Sequence, residues 1–186
     1  MKLNRRQVLL ATGATVLPVS LLGATTQVTL QPRPTVVKIG QHRLGMLGFN
    51  GSVPGPEIRL RRNEKLNVQV ENGLNDGTLV HWHGIRLPNA MDGVNVLTQD
   101  PIAPGDVFNY RFSVPDAGTY WYHSHYLSYD QVSRGLFGPL IVEESVPPDV
   151  DRDITVMLFD VLLDDSGNFD DESRPEHFTT AGRLGG

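Results

Sequence analysis

The sequence predicts an all-β fold, a β-sandwich or barrel built from short strands. Apolar and polar residues alternate in several short runs, which is typical of half-buried strands. The chain of 186 residues contains 19 Gly and 13 Pro, and many of them stand in turn-forming clusters between these runs. No sustained helical periodicity follows residue 25. Together these three observations favour an antiparallel sandwich or barrel.

The strands follow from the alternation in order along the chain. The two clearest runs place Leu66, Val68 and Val70, and later Phe108, Tyr110, Phe112 and Val114, at every second position. Shorter β-branched or aromatic runs cover residues 36–39, 119–123 and 140–142. Turn-forming pairs separate them, among them Asn72-Gly73 and Pro104-Gly105.

The amino-terminal segment has the pattern of an export signal. Lys2, Arg5 and Arg6 precede an apolar or small stretch over residues 8–23, with Ala24 at the expected cleavage edge. The Arg5-Arg6 pair resembles a twin-arginine signal, so residues 1–25 are predicted to be a signal peptide and the protein to be periplasmic or extracellular. The alternative is an uncleaved amphipathic terminus or membrane anchor.

The carboxy-terminal segment, residues 147–186, differs from the preceding residues in composition. Pro147-Pro148 predicts a linker, residues 154–159 predict one more strand, and five acidic residues lie between 164 and 172. A lone strand leaves its edges unpaired. We therefore interpret residues 147–186 as a linker and the start of a truncated second domain, with a disordered acidic tail as the alternative.

Composition excludes several classes of function. Lys and Arg number 16 against 21 Asp and Glu, and a net charge of −5 argues against nucleic-acid binding. The chain contains no cysteine, which excludes disulfides, iron–sulfur clusters and thiolate-bound copper within these residues.

The candidate chemistry lies in two His-X-His pairs. Four of the six histidines form the runs His81-Trp82-His83 and His123-Ser124-His125. Residues i and i+2 of a strand point to the same face, so each pair can present two imidazoles to one point. Imidazole is the commonest metal ligand, and it suits copper, zinc, nickel and iron. Each histidine could instead be a hydrogen-bonded structural residue, as we expect for His42 and His177.

Several motifs in order resemble the amino-terminal cupredoxin domain of multicopper oxidases of the laccase-like group. They cover residues 35–143 and are the runs Phe49-Asn50-Gly51, Pro54-Gly55-Pro56, His81-Trp82-His83-Gly84, Asp92-Gly93, Thr98-Gln99, Pro104-Gly105, Gly118-Thr119-Tyr120-Trp121-Tyr122-His123-Ser124-His125 and Gly135-Leu136-Phe137-Gly138-Pro139-Leu140-Ile141-Val142. The resemblance implies a cupredoxin-like Greek-key β-sandwich or barrel over residues 26–146, followed by an incomplete extension.

The resemblance also implies roles for individual residues. The two pairs would supply four of the eight histidines of a trinuclear copper centre, His81 to the type 2 copper and His83, His123 and His125 to the type 3 pair. Asp92 matches an acidic residue that assists proton delivery to dioxygen in some relatives, although its type and place also suit a turn before Gly93. Trp82 and Trp121 are expected to pack the strands.

The family oxidises phenols, amines or metal ions one electron at a time and reduces dioxygen to water. Its electrons enter at a type 1 copper held by a Cys in a His-Cys-His run, which this sequence lacks. The chain alone is therefore expected to be inactive, and to need a companion chain, an oligomer or further sequence. The alternatives are a stand-alone exported copper-binding or buffering module and a non-catalytic structural protein on the same fold.

Overall fold

The computed structural model describes residues 24–161 together with 163, 164 and 166. The predicted signal peptide, apart from Ala24 and Thr25, and most of the acidic tail lie outside the described residues. Within that part of the chain the strands are β1 (Thr25–Leu30), β2 (Pro32–Ile39), β3 (His42–Phe49), β4 (Ile58–Arg61), β5 (Lys65–Glu71), β6 (Val80–His83), β7 (Val107–Ser113), β8 (Gly118–Ser124) and β9 (Phe137–Glu143).

The strands form three sheets that do not close into a barrel. One sheet has the order β4-β9-β8-β6, a second has the order β1-β5-β7, and β2 pairs with β3 in a hairpin. Most pairs are antiparallel, as predicted, but β1 lies parallel to β5 and β4 lies parallel to β9. Alternation reports which face of a strand is buried and carries no information on the direction of its neighbour, so the sequence could not predict the two parallel pairs.

The core lies between the four-stranded and three-stranded sheets. Trp82 of β6 is fully buried and contacts the rings of Tyr110 and Phe112 from β7. The alternating residues Leu66, Val68 and Val70 are buried in the same core, which confirms their predicted inward face. Burial of these apolar side chains is the main stabilising contribution to such a sandwich.

A short helix that the sequence analysis did not predict follows the second histidine pair. Helix α1 spans Ser128–Ser133. Six residues are too few to produce a detectable helical period. The buried Gln131 connects the helix to the sheets, because its side chain accepts a hydrogen bond from the Thr78 hydroxyl at 2.9 Å and donates one to the Gly77 carbonyl at 2.8 Å. None of the helices in the described residues is long and apolar enough to cross a bilayer.

The strand predicted at residues 154–159 is wrong. This segment has no regular secondary structure, and Ile154, Val156 and Leu158 are largely exposed. A run of β-branched and apolar residues favours a strand, but a strand also needs a hydrogen-bonded neighbour. At the end of the segment the Phe159 ring contacts the Phe137 ring, with centroids 4.7 Å apart.

Glu64 provides a pH-dependent contribution to the stability of the sandwich. Its carboxylate accepts hydrogen bonds from the Arg61 backbone N–H at 2.9 Å and the Thr26 hydroxyl at 2.7 Å, and these bonds lower its pKa. Because the pKa is lower in the folded state, the contribution is present at neutral pH and is lost as pH falls through that value. We expect Glu64→Gln to cost about 1 kcal/mol at pH 7 and progressively less as pH falls below the ordinary pKa of a glutamate, measured by urea unfolding. A cost that does not change with pH would contradict this assignment.

Candidate metal centre

Antiparallel pairing of β6 and β8 brings the two His-X-His pairs together. His81 lies directly opposite His123, and His83 lies opposite Trp121. Directly opposed residues share a face, so His81, His83 and His123 project to the same side of the sheet. Trp82 and Tyr122 are opposed in the same register on the other side, where both are fully buried in the core.

Three of the four predicted ligands form a compact group. One ring nitrogen from each of His81, His83 and His123 can be chosen so that all three lie within 4.8 Å of one another. The Nε2 atom of His123 is 3.4 Å from Nδ1 of His83. His125 lies outside this group of three nitrogens, but its ring centroid is only 5.3 Å from that of His81 and 6.1 Å from that of His123.

Backbone carbonyls determine which ring nitrogens of two histidines are free. Nδ1 of His81 lies 2.8 Å from the Asp92 carbonyl oxygen, and Nδ1 of His123 lies 2.9 Å from the Ser124 carbonyl oxygen. A carbonyl can only accept, so each Nδ1 carries the proton and each Nε2 keeps its lone pair. This is the usual arrangement by which a protein orients metal-binding imidazoles.

Asp92, the predicted catalytic residue, lies beside His81. Its Oδ1 is 3.4 Å from His81 Nδ1, which is longer than the 2.8 Å contact from the Asp92 carbonyl oxygen to the same nitrogen. Its side chain is 32% exposed, so the carboxyl group can also exchange protons with water. The residue also ends the short 3₁₀ turn Asn89–Met91, so both the catalytic and the turn interpretations remain compatible with its position.

Burial keeps His123 neutral. The pKa of His123 is lowered to about 4, mainly because burial removes the ring from water. The neighbouring His81, His83 and His125 lower it further, whereas the hydrogen bond to the Ser124 carbonyl raises it. The neutral imidazole is the form that binds metal ions. Near neutral pH this ring therefore needs no deprotonation before it binds a metal.

The backbone of Val80, immediately before His81, is held from two sides. Its N–H donates to the Tyr110 hydroxyl at 3.1 Å, and burial raises the pKa of Tyr110 to about 12, so this phenol stays protonated. On the other side, Gly93 packs so closely that an added Cβ would overlap the Val80 carbonyl oxygen. The Asp92-Gly93 turn is therefore fixed against β6, and this places the Asp92 carbonyl on His81.

Trp121 is a component of the site that the sequence analysis assigned only to packing. Its ring stacks on that of His123 at 4.1 Å and lies 5.1 Å from that of His83. A signal for this was present, because Trp121 is two residues before His123 and so shares its face. Trp82, in contrast, packs in the core.

Other features of the described residues lie away from this group. His42 begins β3 in the β2–β3 hairpin, and His177 lies outside the described residues. A groove of about 1040 Å³ runs between β4, β8, β9 and residues 147–157, and none of the four histidines lines it. The groove is therefore separate from the histidine site.

The donor set suits a first-row transition metal. The nearest ligand atoms are imidazole nitrogens, and His83 Nδ1 lies 3.4 Å from His123 Nε2. This distance is close to the separation of about 3.3 Å expected for two nitrogens bound tetrahedrally to one ion at about 2.0 Å. Copper, zinc, nickel and iron all accept such ligands. The geometry indicates a metal site without selecting the metal.

Comparison with known proteins identifies the family. Residues 33–146 match the sequence profile of the family described as multicopper oxidase. This chain belongs to the multicopper oxidase family. The match contains both His-X-His pairs and the Asp92-Gly93 turn.

Relatives of this multicopper oxidase domain include proteins from several bacteria. It is 43% identical over 126 residues to multicopper oxidase MmcO of Mycobacterium tuberculosis, covering 68% of this chain and 24% of that protein. It is 40% identical over 146 residues to copper resistance protein A of Escherichia coli, covering 77% of this chain and 24% of that protein. The chain therefore spans about a quarter of the length of these curated relatives.

Solved structures confirm the predicted cupredoxin-type β-sandwich. A multi-copper oxidase from Pseudomonas thermotolerans superposes with a TM-score of 0.82 at 37% sequence identity, covering 88% of this chain and 40% of that one. A second, from Pseudomonas parafulva, superposes with a TM-score of 0.78 at 41% identity and covers 84% of this chain and 39% of that one. The fold predicted from the sequence is thus that of this family.

Proposed function

We propose that this multicopper oxidase domain binds copper through His81, His83, His123 and His125 and contributes them to a trinuclear centre that reduces dioxygen to water. The main support is the register of β6 against β8, which sets His81 against His123, together with the 5.3 Å between the ring centroids of His81 and His125. Family membership favours copper among the metals that the donor set allows.

The surroundings of each ring support a division of roles. His83 Nδ1 and His123 Nε2 face each other at 3.4 Å, as expected for ligands of the type 3 pair, with His125 beside them. His81 makes no ring-nitrogen hydrogen bond to another histidine among the described residues, and we assign it to the type 2 copper from the resemblance of its motif to that of the family. Copper bound here would provide the binding site for dioxygen and would pass to it the electrons received from a type 1 copper outside these residues.

The protein's own contribution is to hold and move protons. The Asp92 and Ser124 carbonyls keep the Nδ1 protons of His81 and His123 in place, so that both Nε2 atoms face the site. The Asp92 carboxyl is half-buried beside His81 and can pass protons from water to the site through Oδ1. In this role it is a general acid for the reduction of dioxygen.

The remainder of the reaction would depend on residues beyond these 186. The sequence contains no cysteine, so a thiolate-bound type 1 copper and the other trinuclear ligands would come from further sequence, a companion chain or an oligomer. We also propose export, by the twin-arginine route, to the periplasm or the extracellular space. The Arg5-Arg6 pair followed by an apolar stretch supports this route.

Copper uptake tests the proposed ligands directly. We expect the full chain to retain at least one Cu(II) after dialysis, and His83→Ala combined with His123→Ala to abolish retention, because only one nitrogen of the close group of three remains. Metal analysis measures the stoichiometry, and circular dichroism checks the fold. No dioxygen-dependent phenol oxidation is expected from either protein.

His42→Ala is the matched control for this experiment. It removes an imidazole from β3, away from the site, and should leave copper retention unchanged. Equal retention by the double variant and the unchanged chain would contradict the ligand assignment.

A further inference from the structure

We propose that Trp121 is a positioning residue that holds the His83 imidazole in place for metal binding. The inference rests on the proposed function, because it assigns a role at the same copper site. It concerns a ring that contacts two candidate ligands and is itself not a metal ligand.

The three close imidazoles are not held in the same way. His81 and His123 each have Nδ1 fixed by a backbone carbonyl. His83 is exposed and, among the described residues, makes no hydrogen bond to the backbone. Its one hydrogen-bond contact is the 3.4 Å approach to His123 Nε2, which metal binding would replace. The tilted contact with the Trp121 ring is therefore the one that can orient His83 both before and after a metal binds.

Trp121 is well placed to provide that contact. It lies opposite His83 in the β6–β8 register and opposite Pro139 in the β8–β9 register, so its backbone is fixed between two neighbouring strands. The indole stacks on His123 at an interplanar angle of 28° and makes a tilted contact with His83 at an angle of 33°. It therefore contacts one ring from each His-X-His pair and limits the rotation of the exposed one.

A set of substitutions separates ring stacking from bulk. We expect Trp121→Leu, which keeps an apolar side chain without a flat ring, to weaken Cu(II) binding by about two- to tenfold, the fold-change that corresponds to the usual strength of an aromatic pair. Trp121→Phe, which keeps a flat ring, should retain most of the Cu(II) affinity of the unchanged chain. Thr119→Ala, two residues earlier on the same face of β8, is the control and should have no effect.

A double-mutant cycle tests whether Trp121 acts through His83. In a His83→Ala background, Trp121→Leu should cause a much smaller loss of affinity, since His83 is gone and His123 is still held by the Ser124 carbonyl. An equal loss in both backgrounds, or no loss in either, would overturn the proposal. Affinities are measured by competition with a chelator on the full chain.

A measurement without metal distinguishes this inference from the proposed function. In nitrogen-15 NMR spectra of the metal-free chain, Trp121→Leu should shift and broaden the His83 ring signals, whereas Trp121→Phe should restore them. Unchanged His83 signals in the leucine variant would overturn the positioning role even if copper binds. Failure of the unchanged chain to bind copper, with His83 still ordered by Trp121, would refute the proposed function alone.

Discussion

Replacing Trp82 with alanine is expected to lower the free energy of unfolding by about 3–5 kcal/mol, the usual cost of truncating a large buried aromatic side chain. Trp82 is fully buried, with its ring centroid 5.4 Å from that of Tyr110 and 5.2 Å from that of Phe112. The truncation leaves a cavity where the two sheets meet. Urea unfolding followed by circular dichroism measures the change.

Trp82→Phe is the matched control. It keeps an aromatic ring in the core and removes the indole Nε1, which is buried and has no hydrogen-bond partner among the described residues. A buried donor without a partner costs about 1–3 kcal/mol, so its removal offsets part of the lost packing. We expect the phenylalanine variant to lose much less stability than the alanine variant. Similar losses in both variants would show that the ring contributes little to the core.

The second large effect is expected at Gly93. Gly93→Ala places a Cβ against the Val80 carbonyl oxygen, so the Asp92-Gly93 turn has to move away from β6. The Asp92 carbonyl would then no longer orient His81. Loss of such a supporting hydrogen bond typically weakens metal binding by about 10–100-fold. Copper affinity of the folded variant, measured by chelator competition, checks the result.

Gly105→Ala is the control that separates the steric effect of an added Cβ at Gly93 from the cost of placing alanine at a positive φ. Gly93 has φ of +69° and Gly105 has φ of +82°, so alanine is disfavoured at both positions. No atom lies within 4 Å of a Cβ added at Gly105, so that variant has only the conformational cost. Equal copper affinities of the two variants would contradict the role of the Gly93 contact.

The alternating pattern was sufficient to predict the inward faces of β5 and β7. Leu66, Val68 and Val70 are buried as their spacing requires. His81 and His83 share a face for the same reason, because side chains of a strand alternate with a period of two. The motifs around both His-X-His pairs also sufficed to indicate the multicopper oxidase family, which the profile match shows.

The segment at residues 154–159 marks a limit of that reasoning. Its apolar and β-branched residues favour a strand, but no strand forms there, because a strand needs a neighbour to accept and donate its backbone hydrogen bonds. Whether such a neighbour is present is not encoded in the segment itself. Helix α1 was missed for a related reason, since its stability comes from tertiary contacts such as those of the buried Gln131.

By itself, then, the sequence determined which residues can share a face, because that depends only on local backbone geometry. The tertiary structure decided which faces meet. The register that sets His81 against His123 and the position of Trp121 beside His83 depend on pairing between β6 and β8. The Asp92 carbonyl reaches His81 because Gly93 packs against β6. Strands β6 and β8 are separated by about 40 residues of sequence, and contacts over such a distance follow from the packing of the whole sandwich.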